Sequence, residues 1–94
     1  MPAYCVGQIR VKDPAAWEDY RSRVGATIAQ YGGQVLFRGR RTRVLAGGEG
    51  PELVVSLRFE TAAEAGRWHD SPEYQALVPL RERAAEVKLV LYED

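Results

Sequence analysis

Residues 52–59 read Glu-Leu-Val-Val-Ser-Leu-Arg-Phe and form the clearest strand pattern in the chain. Every second residue from Leu53 to Phe59 is large and apolar, and the residues between them are mixed. Side chains alternate between the two faces of a strand, so this pattern gives one apolar face and one mixed face. The stretch therefore predicts a strand packed on one side against other elements.

A second strand and a turn precede this segment. Residues 46–51 hold three glycines and a proline, which is typical of a turn. Residues 34–45 are predicted as a strand in which Gly39 marks a bulge or bend. Its alternation assigns Val35 and Phe37 to one face, and Leu36 and Arg38 to the other. Two strands around a short glycine-rich turn predict an antiparallel hairpin.

A helix is predicted before the hairpin. Asp13 is suited to cap it, and Pro14 fits its first position because proline lacks the backbone N–H. Gly32-Gly33 ends the helix, since glycine adopts the left-handed conformation without steric cost. One apolar stripe runs along it at helical spacing: Trp17, Tyr20, Val24, Ile28 and Tyr31.

A second helical region follows the hairpin. Residues 61–64, Thr-Ala-Ala-Glu, match a capping box, and the helix they open stops before Pro72. Ser71 caps a new helix, and Pro79 predicts a kink or short break inside it. Five residues on one side of this region recur at helical spacing: Tyr74, Leu77, Val78, Arg81 and Ala85.

Strands at both ends complete the order βαββαβ in one predicted domain, residues 1–94. This order favours an α+β, ferredoxin-like fold, with a four-stranded antiparallel sheet and both helical regions on one face. The other face is predicted to be open and apolar, with Tyr4, Val6, Leu36, Val54, Val90 and Tyr92 among its residues. Because an exposed apolar patch of this kind marks an interface, two sheets are expected to stack in a homodimer.

The composition excludes several classes of protein. Thirteen basic and thirteen acidic residues give a net charge of zero, which argues against a nucleic-acid partner. No apolar run reaches the roughly 20 residues of a membrane span, and no signal peptide is recognisable. One cysteine and one histidine leave no metal constellation. We therefore expect a cytoplasmic protein without metal or cofactor.

Motifs along nearly the whole chain resemble a known family. They are A-Y-x-V from residue 3, D-P-x-x-W-x-x-Y from residue 13, Y-G-G and L-F-R-G from residues 31 and 36, and A-x-x-W-x-x-S-P-E-Y-Q-A-L-x-P-L-R from residue 65. This pattern is similar to an uncharacterised bacterial family, number thirteen-thirty among the domains of unknown function. The family lies in the dimeric α/β-barrel superfamily, which includes cofactor-free monooxygenases, haem-degrading enzymes and muconolactone isomerases. The resemblance implies a barrel-shaped homodimer and a cleft between sheet and helices, and it implies no established activity.

The chain departs from that family at two places. His69 replaces the usual aromatic residue after the tryptophan, and Arg38-Gly39-Arg40 replaces the usual Arg-Gly-Gly. His69 is the candidate acid or base, since its ordinary pKa lies near neutrality; the alternative is a histidine without catalytic duty. Arg38 is the candidate anchor for an anion, and the alternative is an ion pair with Glu60, Glu64 or a residue across the dimer.

Four further residues are candidates for the wall of a ligand cleft: Tyr20, Trp68, Tyr74 and Arg81. The alternative for the aromatic residues is core packing, and for Arg81 an ion pair. Two functions remain open. The protein binds or transforms a small anionic or aromatic metabolite without metal, or it is a non-catalytic dimeric module that senses a ligand or serves a structural role.

Overall fold

The computed structural model describes residues 1–94 as one four-stranded sheet and four helices. The elements are β1 (Ala3–Val11), α1 (Pro14–Gln30), β2 (Gln34–Arg40), β3 (Leu53–Phe59), α2 (Ala62–His69), α3 (Pro72–Gln75), α4 (Val78–Ala84) and β4 (Ala85–Glu93). The strands lie in the order β2-β3-β1-β4, and every neighbouring pair is antiparallel. The helices pack on one face of the sheet. The predicted α+β, ferredoxin-like fold is confirmed.

The limits of α1 follow from the residues that flank it. The Asp13 carboxylate accepts a hydrogen bond from the backbone N–H of Ala16 at 3.2 Å, which satisfies a free donor of the first turn. Gly32 follows the helix with a φ of 80°, a left-handed conformation that favours glycine. Between these ends, the stripe predicted from the sequence faces the core, where Tyr20, Val24 and Ile28 are buried.

The second helical region is broken into three short helices, and side chains mark two of the starts. Thr61 Oγ1 accepts from the backbone N–H of Glu64 at 3.1 Å at the start of α2. Ser71 Oγ accepts from the backbone N–H of Tyr74 at 3.1 Å at the start of α3. Pro79 lies in the first turn of α4, and the break before that helix confirms the predicted interruption.

The core lies between the helices and one face of the sheet. Its largest fully buried side chains are Trp68, Tyr74 and Phe59. Gly7 of β1 also lies on this face, where a Cβ would come within 2.8 Å of Val55 Cγ1. Only glycine fits this point without displacing its neighbours.

Strand β2 differs from the sequence prediction in length and in the faces of its residues. It ends at Arg40 and not at residue 45, because its partner β3 begins at Leu53, which lies opposite Arg40. In the loop that follows, the Arg41 guanidinium donates to the carbonyl of Gly50 at 2.6 Å. A bulge lies between Val35 and Phe37, earlier than the position expected near Gly39. Val35 therefore pairs with Leu57, whereas Phe37 pairs with Ser56 and Arg38 with Val55.

The bulge corrects the assignment of faces, because the extra residue reverses the alternation after it. Val35 and Arg38 lie on the helix side of the sheet, and Phe37 lies on the open side, contrary to the expected grouping of Val35 with Phe37. The open side keeps an apolar centre formed by Tyr4, Val6, Phe37, Val54, Val90 and Tyr92. None of the helices has the length and apolar character needed to cross a membrane.

Candidate functional site

A cavity of about 740 Å³ lies between α1 and the helix side of the sheet. Twenty-two residues line it, and 14 of them are hydrophobic. The strands contribute an apolar floor of Ile9, Val35, Val55, Leu57, Val87 and Leu89. Its volume falls in the range of pockets that hold small organic ligands.

Both tryptophans of the chain line this cavity. Trp17 stacks on Tyr20 with their ring centroids 5.3 Å apart, so α1 presents an aromatic wall. Trp68 enters from α2, where its indole N–H donates to Thr27 Oγ1 at 3.0 Å. The sequence placed Trp17 in the apolar stripe of α1, and Trp17 was not among the residues expected to line a cleft. The signal for its position was its spacing of three residues from Tyr20, which places both rings on one helix face.

The charged side chains along the cavity are mostly basic. They are Lys12, Glu18, Arg21, Arg38, Arg40 and Glu52, an excess of two positive charges on a chain whose net charge is zero. Arg21 pairs with Glu18 at 3.1 Å and Arg40 pairs with Glu52 at 2.9 Å, so both acidic side chains are already in ion pairs. A ligand entering here therefore meets a positive local potential.

Arg38 lines the cavity and has no acidic partner within ion-pair distance. Glu60, one of the partners considered from the sequence, is 3.3 Å from Arg58. The bulge in β2 is what turns Arg38 toward the helices. Its guanidinium is thus free to bind an anion within the protomer.

Tyr20 connects the cavity to a buried hydrogen-bond chain. Its hydroxyl oxygen lies 2.9 Å from that of Tyr74, and Arg81 Nη1 donates to the Tyr74 oxygen at 3.0 Å. Tyr74 is fully buried, and neither it nor Arg81 lines the cavity. Burial, followed by the charge and hydrogen bond of Tyr74, raises the pKa of Tyr20, so its hydroxyl stays protonated.

Arg81 also binds its sequence neighbour, since Nη2 donates to Glu82 Oε1 at 2.8 Å. The ion pair considered as the alternative role of this residue is present, and its partner is Glu82. Burial acts to lower the pKa of Arg81, but the bonds to Glu82 and Tyr74 outweigh it and raise the pKa. The Nε atom is buried without a hydrogen-bond partner.

His69 lies outside the cavity lining. Its side chain is 46% exposed, its Nδ1 lies 3.0 Å from Asp70 Oδ1, and its ring centroid is 5.5 Å from that of Tyr74. The structure therefore does not bring His69 together with Arg38. Of the six residues singled out from the sequence, Arg38, Tyr20 and Trp68 line one cavity, whereas Tyr74, Arg81 and His69 do not line it.

Two other features bear on the chemistry. Cys5 is buried in the core, and desolvation raises the pKa of its thiol to about 11, which disfavours a nucleophilic role. No group of three or more His, Cys, Asp or Glu side chains is arranged to hold a metal ion.

Comparisons with known proteins agree with this fold. A family model described as a domain of unknown function, DUF1330, matches residues 2–94. No curated protein matches the chain significantly. A crystal structure of a protein of unknown function from Rhodopseudomonas palustris superposes with a TM-score of 0.85 at 19% identity, covering 99% of this chain and 82% of the other.

Two further structures are similar. SnoaB, a cofactor-independent oxygenase from Streptomyces nogalater, has a TM-score of 0.73 at 14% identity, covering 99% of this chain and 92% of its own. A dimeric ferredoxin-like protein of unknown function from Thermobifida fusca has a TM-score of 0.68 at 16% identity, covering 100% and 92%. At these identities the similarity shows the fold alone.

Proposed function

Starting from the finding that the chain belongs to the DUF1330 family, whose function is unknown, we propose that it is a homodimer that binds a small aromatic anion. The ligand occupies the cavity between α1 and the sheet, and binding requires no metal. We also propose that residues 1–94 form a single domain. Cytoplasmic location and the lack of a nucleic-acid partner stay predictions.

The observation that carries the proposal is Arg38, an unpaired guanidinium on the wall of an aromatic, largely apolar cavity. A carboxylate or similar anion would complete the two-pronged hydrogen bonding that arginine favours. The rings of Trp17, Tyr20 and Trp68 supply apolar surface for the rest of the ligand. Small-molecule sites commonly combine a mainly apolar lining with a few polar groups in this way.

Self-association is proposed through the open side of the sheet. Phe37 and Tyr92 are 53% and 54% exposed on that side, which is costly for large apolar side chains unless they are covered. Structures with the same fold from Thermobifida fusca and Bacteroides fragilis are described as dimeric. A two-fold stack of the open faces would bury this apolar surface in both copies.

A ligand-binding role has more support than a catalytic one. His69 was the candidate acid or base, and it lies outside the lining of the cavity. The protonated hydroxyl of Tyr20 is a poor base. The second candidate function is a non-catalytic dimeric module that senses a ligand or serves a structural role, and an unpaired arginine on the lining of the cavity favours the ligand-sensing form.

The proposal is tested by titrating the protein with 4-isopropylbenzoate and its neutral analogue 4-isopropylbenzamide. The indole N–H signals of Trp17 and Trp68 report binding by NMR, because no other tryptophan is present. Arg38→Gln should weaken benzoate binding about tenfold or more and leave the benzamide unchanged, given the strength of a charged hydrogen bond.

Arg43→Gln is the matched control, since Arg43 is exposed in the adjoining loop and does not line the cavity. Equal losses in the two variants, or shifts in neither indole signal, would contradict the proposed site. A purely structural role predicts that no probe moves these signals.

A further inference from the structure

Arg38 and Leu89 lie in the same row of residues across the helix side of the sheet, at its opposite edges. Arg38 of β2 pairs with Val55 of β3. Gly7 of β1 pairs with Val55 on one side and with Leu89 of β4 on the other. Neighbouring strands lie about 4.8 Å apart, so the row spans about 14 Å from β2 to β4. The proposed anion anchor is therefore at one end of a row that crosses the whole sheet.

The row is apolar and continuous between its ends, although Gly7 contributes no side chain to it. Val55 Cγ1 and Leu89 Cδ2 lie 2.8 and 3.1 Å from the point that a Cβ at Gly7 would occupy. These two side chains meet over the glycine, and both line the cavity. A ligand held at the β2 end thus has unbroken apolar surface beside it as far as β4.

A second row lies beside the first and has the same polarity. Arg40 of β2 pairs with Leu53, and Ile9 of β1 pairs with Leu53 and with Val87 of β4. All four of these residues line the cavity. The two rows together form one strip, which is basic at its β2 end and apolar at its β4 end.

Packed residues border this strip on both sides. On one side the next pair on the same face is Cys5 and Leu57, which are buried in the main core. On the other side Ala85, opposite Val11, is buried in the second core cluster. Between these borders four apolar residues are only half-buried: Leu53, Val55, Val87 and Leu89. The room for an elongated ligand therefore runs across the strands.

The charges at the two ends of the strip favour one direction for such a ligand. Two arginines lie at the β2 end, whereas the residues of β4 on the lining are Val87 and Leu89. Lys12 also lines the cavity, but it follows the end of β1, and its ammonium donates to the carbonyl of Glu82 at 2.7 Å. An anionic group is thus favoured at Arg38 and an apolar group at Leu89.

We propose that the ligand is an aromatic carboxylate with an alkyl tail opposite the anionic group, and that the tail lies across the strands toward β4. The inference rests on the proposed function and narrows its ligand class. Arg38 holds the carboxylate, and Val55 and Leu89 remove the tail from water. A cavity of about 740 Å³ has room for both parts, whereas a single ring at Arg38 would leave the β4 end of the strip uncovered.

The experiment compares 4-methyl-, 4-butyl- and 4-heptylbenzoate below their micellar concentrations, with the indole signals of Trp17 and Trp68 as the readout. Affinity should rise about fourfold for each methylene between the methyl and butyl compounds, because each is buried on the strip. It should rise again with the heptyl compound. Arg38→Gln should weaken all three about tenfold, which separates this site from nonspecific binding of an alkyl chain.

Leu89→Asn and Leu91→Asn are a matched pair for the β4 end of the strip. Both leucines lie on the helix side of β4, and of the two only Leu89 lines the cavity. Leu89→Asn should weaken the heptyl compound about tenfold and the methyl compound at most about twofold, since only the longer tail reaches this residue. Leu91→Asn should weaken neither compound by more than about twofold.

Isotope-filtered NOEs on the unsubstituted protein give a test that needs no variant. The terminal methyl group of bound 4-heptylbenzoate should contact the methyl groups of Leu89 or Val87. Contacts of that methyl group with Val35 of β2 in their place would overturn the inferred direction of the tail.

The outcomes distinguish the two proposals. If none of the three benzoates shifts the indole signals, the proposed function fails and this inference fails with it. If 4-methylbenzoate binds through Arg38 but affinity does not rise with tail length, this inference alone fails. It also fails alone if Leu89→Asn and Leu91→Asn weaken the heptyl compound equally. Should Leu89→Asn not fold, the NOEs decide the question.

Discussion

The indole N–H of Trp68 donates a hydrogen bond to the hydroxyl of Thr27 across 3.0 Å, although 41 residues separate them in the chain. The hydroxyl passes its own hydrogen to the carbonyl of Val24 at 2.7 Å. Both side chains are buried, with exposed fractions of 2% and 9%. This bond holds the indole ring of Trp68, on α2, against Thr27 of α1 at the wall of the cavity.

Thr27→Val should destabilise the protein by about 1–3 kcal/mol, because the indole N–H would stay buried without an acceptor. Thr27→Ser keeps the hydroxyl and removes one methyl group, so its cost should be about 0.8 kcal/mol. Urea unfolding followed by tryptophan fluorescence measures both. A valine variant no less stable than the serine variant would show that the hydrogen bond contributes nothing.

Two glycines should respond to alanine in opposite directions. Gly25 lies within α1 and has open space where a Cβ would lie, so Gly25→Ala should stabilise the protein by about 0.5–1 kcal/mol. At Gly33 a Cβ would lie 2.6 Å from Phe59 Cε1 and 2.7 Å from Ile28 Cγ2. Gly33→Ala should therefore cost about 1–3 kcal/mol. Thermal unfolding of these two alanine variants, compared with the unsubstituted protein, tests both expectations.

The Cys5 thiol should ionise with a midpoint near pH 11, compared with an ordinary value of 9.0, because burial disfavours the thiolate. The folded pKa is the higher one, so its contribution to stability is complete below pH 9 and declines as the pH rises toward 11. Thiolate absorbance at 240 nm gives the midpoint. Cys5→Ser serves as the blank, and a midpoint near 9 in the folded protein would refute the prediction.

Val6→Glu should convert the proposed dimer to a monomer. Val6 pairs with Ser56 and Val90 near the centre of the open face, where a carboxylate would be desolvated on association. Ala63→Glu adds the same charge at an exposed position on α2 and should leave the oligomer intact. Sedimentation equilibrium at micromolar concentration distinguishes these outcomes. A wild-type protein that is monomeric under those conditions would remove the basis for the sheet-to-sheet dimer.

Local signals in the sequence predicted the ends of the elements. Asp13, Gly32, Thr61 and Ser71 act through atoms within a few residues of themselves, so their effects are visible in the chain without knowledge of the fold. The βαββαβ order, and with it the open face, followed from these limits together with strand alternation. Such signals depend on spacing alone.

The residues that line the cavity could be predicted only in part from the sequence. Tyr20 and Trp68 were identified from apolar spacing, but the bond between Tyr20 and Tyr74 spans 54 residues and has no local signature. The position of His69 depends on how α2 meets the sheet, which the spacing of its neighbours does not specify. The side of the sheet occupied by Arg38 depends on a bulge that no glycine or proline marks.

That bulge also affects how this chain should be compared with its relatives. Whether the extra residue at Leu36 is bulged or paired decides which of Phe37 and Arg38 lies toward the cavity. At 19% identity, an alignment can slip by one column here and match a cavity residue with one from the opposite face. The gain or loss of one codon in this strand can therefore exchange the polarity of the two faces during evolution while the neighbouring residues stay the same.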